Sequence, residues 1–203
     1  MKSLAKLISI VFQPLLMPVY NVLLLFIYTD QFRMTYAGHF VEILLPVFVF
    51  AFAVPSLIIL VMYRLHLISN LSLDIRHERF IPYIFTLISY GFMIYFYHKM
   101  GMPFWFIMLN VSSLIVMALA IVVTLWWKIS AHMFGVGGLM GGVVAVSYLV
   151  EHINPHYLIM ALLLISGLVG SSRLLLKKHT PAQVYTGFLL GFMVTFICVW
   201  IGA

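Results

Sequence analysis

Charge is scarce in this chain. Lys and Arg number eleven and Asp and Glu only five in 203 residues, 8% in all, while 65% are hydrophobic. Soluble domains carry about a quarter charged residues and nearer half apolar ones. No soluble fold of this length has enough interior to hide so much apolar surface, so a bilayer is the expected solvent. Cysteine is limited to Cys198, in the last apolar run, which excludes an intrachain disulfide and a cysteine-based metal site. Lys2 and Lys6 precede an apolar run as in a secretory signal, but no small-residue cleavage site follows and Pro14 and Pro18 interrupt the run. An uncleaved first helix is expected. Low-complexity segments and internal repeats are missing. The net charge of +6 does not imply a nucleic-acid partner, which needs a solvated basic face; basic residues scattered at helix ends fit topology and anionic lipid or phosphate.

What is present is a series of apolar segments near 7–28, 40–63, 82–98, 104–127, 133–150, 156–172 and 182–202. Each span needs roughly 20 apolar residues. The expectation is one all-α domain over 1–203, a polytopic transmembrane helical bundle of six to seven spans. Strands are not expected, because an open sheet edge in lipid leaves backbone groups unpaired. The third and sixth segments are short for a span. Glycines recur at helical spacing at 137, 138, 141 and 142 and again at 187 and 191, a pattern of close helix packing.

Connections alternate in character. Segments 29–39, 98–103 and 151–156 are poor in basic residues, whereas 64–81, 128–132 and 173–180 hold Arg64, Arg76, Arg79, Lys128, Arg173, Lys177 and Lys178. With seven crossings these three connections share a face with Lys2 and Lys6, leaving Arg33 and Lys99 opposite. The positive-inside rule makes that face, and the N-terminus, cytoplasmic, and the reading places the protein in a bacterial inner membrane.

Three stretches on that face carry chemistry: RHERFIP at 76–82, KISAHM at 128–133 and SRLLLKKHTPAQ at 172–183. An even number of spans separates each from the next, so Arg76, Arg79, Lys128, Ser130, His132, Arg173 and His179 can meet at one edge of the bilayer. Taken singly, each is a basic loop, a helix cap or a snorkelling charge. Together they supply cations and neutral-range histidines, which phosphoryl transfer needs for charge stabilisation and proton movement.

These motifs resemble the membrane branch of the type-2 phosphatidic acid phosphatase superfamily over about residues 70–190. Ser172-Arg173, five residues and His179 match the family's third motif in spacing. Ser130-Ala131-His132 matches the second, with alanine for glycine and Ile129 for proline. Arg79 with Pro82 is a wider form of the Arg-Pro first motif, without its upstream lysine. The resemblance implies metal-independent hydrolysis of a phosphorylated lipid, with no cofactor. His179 would attack phosphorus and form a phosphohistidine, and His132 would act as general acid and base. Arg173 and Arg79, with Arg76 and Lys128, would neutralise the equatorial oxygens, and Ser130 would present helix N-terminal donors. The family's aspartate is replaced by Gln183. Glutamine there either orients His179 without charge or closes a capping box in Thr180-Pro181-Ala182-Gln183.

Two other readings follow from the same residues. Substitutions at 129, 131 and 183 fit a degenerate lipid-phosphate binder, flippase or scaffold. His152 and His156 with Glu151 have metal-like spacing, but Pro155 between them opposes a continuous helix, and no third ligand completes a site. A transport pathway would usually show an ionisable residue in mid-span, and none is seen.

Overall fold

A computed structural model describes residues 1–203 except Ser72, Asp74 and Arg76. The sequence-predicted site residue Arg76 therefore lies outside the described residues. Among the described residues ten α-helices follow one another: α1 Lys2–Val11, α2 Met17–Tyr28, α3 Asp30–Tyr36, α4 Phe40–Val47, α5 Val54–Arg64, α6 Phe80–Lys99, α7 Phe104–Thr124, α8 Ala131–Ala145, α9 His156–Leu175 and α10 Pro181–Gly202. Among the described residues there is no strand. Several helices join end to end, so that among the described residues seven helical stretches are long and apolar enough to cross a membrane: 2–28, 30–64, 77–99, 104–124, 131–150, 156–175 and 181–202. The protein is an all-α polytopic membrane protein.

Prolines explain where the spans break. Pro14 opens a 3₁₀ turn and Pro18 sits in the first turn of α2, so α1 and α2 form one interrupted span. Between Pro46 and Pro55 the second span passes through a π-helical stretch, Phe48–Ala53. In that register the Phe50 carbonyl would face the nitrogen of residue 55, a proline with no N–H to give. The Ser89 hydroxyl of α6 donates to it instead, at 2.6 Å.

The structure departs from the sequence reading at 29–39. That segment was expected to connect two spans, yet α3 and a 3₁₀ turn occupy it, and only Thr29 interrupts helix between α2 and α3. Asp30 in the first turn of α3 suits the positive helix end and pairs with Arg33 one turn on. The two short segments also prove to be full spans. Hydropathy drops at Arg79 and Arg173, but the helices continue beside and through these charges.

α8 is the central helix, with two thirds (67%) of its span inside the protein against 28–39% for the others. Its glycines meet α10 at very short range. A Cβ added at Gly137 or Gly141 would fall 2.1 or 2.4 Å from the Phe188 or Phe192 carbonyl oxygen, and one at Gly191 would fall 2.1 Å from that of Phe134. Small residues therefore set this crossing. By alternation of the spans, Lys2 and the junctions α5–α6, α7–α8 and α9–α10 lie at one end of the bundle.

Candidate functional site

The α9–α10 junction is built by two local devices. α9 ends in a Schellman turn: the Lys178 N–H donates to the Arg173 carbonyl at 3.1 Å and the Lys177 N–H to Leu174 at 2.9 Å, with Lys177 left-handed at φ 52°. Two residues later Thr180 is the N-cap of α10, with Pro181 at the first helical position and a complete capping box to Gln183. Arg173 is thus held in the last turn of one helix and His179 immediately before the next. The five-residue spacing between them is the length of this turn.

His179 lies under two acceptors. Its Nδ1 is 3.3 Å from the Lys128 carbonyl oxygen and 3.2 Å from Gln183 Oε1. A carbonyl can only accept, and Gln183 Oε1 is itself identified as oxygen by the Thr180 N–H that donates to it at 3.1 Å. Nδ1 therefore carries the proton, and Nε2 carries the lone pair. Gln183 thus closes the capping box of α10 and, through the same oxygen, accepts from the His179 ring. Burial, followed by the nearby charge of Arg173, pulls the His179 pKa from 6.5 down to about 4, against the opposing effect of the Gln183 hydrogen bond. At neutral pH the ring is uncharged.

The arginines come from two different ends. Arg79, in the 3₁₀ turn before α6, is 5% exposed; its Nε donates to the Leu73 carbonyl at 2.7 Å and its Nη1 to Ile129 at 3.5 Å. Arg173 is 7% exposed and its Nη1 donates to the Ser9 hydroxyl at 3.2 Å. His132, the second residue of α8, has Nε2 3.1 Å from the Ser9 carbonyl oxygen, which places the proton on Nε2 in the neutral ring and the lone pair on Nδ1.

Arg79, His132, Arg173 and His179 all line one cavity of about 710 Å³. Its lining also includes Lys6 and Lys178, and among the described residues no Asp or Glu. Three further sequence candidates stand outside the lining. Lys128 contributes its backbone carbonyl to His179, and Gln183 acts through the His179 ring. Ser130 is fully buried. Its N–H donates to the Gln183 carbonyl at 3.4 Å, and its hydroxyl has no partner among the described residues.

Ser9 escaped the sequence reading. It sits on α1, holds His132 through its carbonyl and Arg173 through its hydroxyl, and is 9% exposed. The available signal was the small pair Ala5 and Ser9, one turn apart, the two buried residues of an otherwise exposed helix. Nothing in that pair indicates contact with residues more than 120 positions away. No protein-family model, curated protein or solved structure matches the chain.

Proposed function

We propose that this protein is a lipid-phosphate phosphatase, hydrolysing a phosphomonoester or diphosphate on a membrane lipid through a phosphohistidine. The observation that carries the reading is His179. It is a buried, neutral imidazole with Nδ1–H fixed by two acceptors, in a cavity shared with His132 and two buried guanidinium groups. Fixing one nitrogen makes the other a directed nucleophile.

The residues divide the work as follows. Nε2 of His179 attacks phosphorus as the bond to the lipid oxygen breaks. His132, protonated on Nδ1 once the negative phosphate has entered the cavity while Nε2–H stays on the Ser9 carbonyl, gives that proton to the leaving oxygen. Water then attacks the phosphohistidine, Nδ1 of His132 takes its proton, and the P–N bond breaks to release phosphate. Arg79 and Arg173 stabilise charge on the equatorial oxygens, the dominant requirement of phosphoryl transfer. The basic side chains gathered at this end of the bundle support a cytoplasmic site by the positive-inside rule.

A second reading, a lipid-phosphate binder without turnover, is favoured by one observation: the partner of His179 is an uncharged amide. Phosphate release by the purified protein from a panel of lipid phosphates, with and without chelator, separates the two. Release unaffected by chelator is expected. Binding without release supports the binder, and activity lost to chelator and restored by zinc overturns the metal-independent mechanism.

Replacing His132 with asparagine is expected to cost about 10²–10⁴ in turnover, most for substrates with poor leaving groups. A tenfold loss independent of the leaving group would remove it as the acid.

Gln183→Glu tests the orienting partner directly. Glutamate is isosteric, so it keeps the contacts to Thr180 N–H and His179 Nδ1, whereas aspartate is one methylene shorter. An anion beside the ring favours imidazolium and raises a pKa that now lies at about 4. Shifts from such pairs are roughly one to three units, each worth up to about tenfold where the full charge develops. The acid limb of the rate profile should move to higher pH and the neutral-pH rate should rise. An unchanged rate and unchanged limb in the folded variant would leave Gln183 as a cap alone.

A further inference from the structure

The cavity does not end at the cations. It continues between α2, α6, α7 and α8, past Met117, Ala120 and Leu139, to a polar floor of Asn21, Tyr90, Ser113 and Thr195. Helix geometry gives its depth. Tyr90 lies eleven residues beyond Arg79, and Ser113 lies eleven residues before the end of α7 at Thr124. At 1.5 Å per residue each places the floor about 16 Å from the cationic end, close to half the thickness of a bilayer's hydrocarbon core.

We propose that this deep part is a slot for one hydrocarbon chain, so that the substrate is a single-chain lipid phosphate whose tail is drawn into the protein. The inference rests on the phosphatase reading for its head group, and it differs from that reading in placing the tail inside the bundle instead of in surrounding lipid. Three observations support it. A phosphate held between the buried Arg79 and Arg173 has the apolar continuation of the same cavity directly below it. About 710 Å³ is the size of a pocket for one small-molecule ligand, enough for a head group and one chain but not two. The floor sets a limit, because Asn21 and the hydroxyls of Tyr90, Ser113 and Thr195 would lose hydration to an advancing methyl group without gaining a partner.

Chain-bearing phosphonates, which bind without being hydrolysed, provide the test. In detergent-solubilised full-length protein, dodecyl phosphonate should bind at least about tenfold more tightly than ethyl phosphonate, since each methylene transferred from water is worth about fourfold. A two-chain phosphonate should bind more weakly than dodecyl phosphonate. Filling the slot with Ala120→Phe or Met117→Trp should reduce the dodecyl-to-ethyl ratio at least about tenfold, while Leu189→Trp, on the exposed outer side of α10, should leave it at the wild-type value. Equal ratios in wild type and filled variants would show that the chain stays in detergent or lipid, and would overturn the slot. Tighter binding of the two-chain phosphonate by the wild type would overturn it as well, whether or not either filled variant folds. Chain-dependent binding with no phosphate release from any lipid phosphate keeps the slot and rejects the hydrolase. Release without chain dependence does the reverse.

Discussion

His179→Ala is expected to abolish phosphate release while leaving phosphonate binding within a few-fold of wild type. Loss of an enzymatic nucleophile costs roughly 10⁴–10⁶ in rate, whereas on the proposed mechanism the anion would be held chiefly by Arg79 and Arg173, which are tethered to Leu73, Ile129 and Ser9. Alanine also removes a buried ring without leaving a buried charge, so the fold should survive. His179→Asn sharpens the test, because an amide can still donate to the Lys128 carbonyl but cannot form a phosphohistidine. Acid-labile labelling of the wild type by a radiolabelled lipid phosphate, absent in both variants, is the accompanying signature. Undiminished turnover in either variant would remove the mechanism entirely.

The pH dependence of His179 has a fixed sign. Its pKa is 6.5 in an ordinary environment and about 4 in the folded protein. Between these values the unfolded chain binds more protons, so stability rises with pH across that interval. The contribution is complete above 6.5 and disappears as pH falls to about 4. On the proposed mechanism activity depends on the neutral ring and should likewise persist through pH 5 before failing near 4. An acid limb near 6.5 would indicate a solvated, unpaired ring. Gln183→Glu should shift limb and stability interval together.

Much of this architecture is legible in the sequence because lipid imposes simple rules. Segments of about 20 apolar residues must be helices, and an even number of spans between the polar stretches brings their ends to one side. The turn carrying Arg173 and His179 was legible because Thr180, Pro181 and Gln183 are local signals. The Schellman turn before it was not, since a lysine occupies the left-handed position that glycine usually marks. α3 was obscured by the polarity of residues 30–39. Contacts of Ser9 with His132 and Arg173 depend on how α1 packs against α9, and no periodicity encodes that. The continuation of the cavity to Asn21 and Tyr90 is likewise a property of packing between helices distant in sequence.

Gly191→Ala should be among the most disruptive single-methyl additions in the chain. The new Cβ would lie 2.1 Å from the Phe134 carbonyl oxygen and 3.0 Å from the Gly138 nitrogen, both backbone atoms that no rotamer change can move. The whole α8–α10 crossing must open. Overpacking of this kind costs typically 1–3 kcal/mol, and more where the neighbour is rigid, against a helix-propensity gain of about 1 kcal/mol for replacing glycine. Gly167→Ala is the matched control, because its Cβ would meet nothing within 4 Å on a helix of the same protein. The control should be neutral or stabilised in a thermal unfolding assay, and Gly191→Ala should unfold at lower temperature. Consequences should reach the site as well. α8 carries His132 at its start, α10 follows directly on His179, and the two ends are tied by the Ser130 N–H to the Gln183 carbonyl. Separation at Gly191 pulls on that tie, so turnover should fall further than the remaining folded fraction accounts for. Equal stability of the two alanine variants would mean that α8 and α10 do not cross as closely as their glycines indicate, and the shared placement of His132 and His179 would lose its mechanical basis.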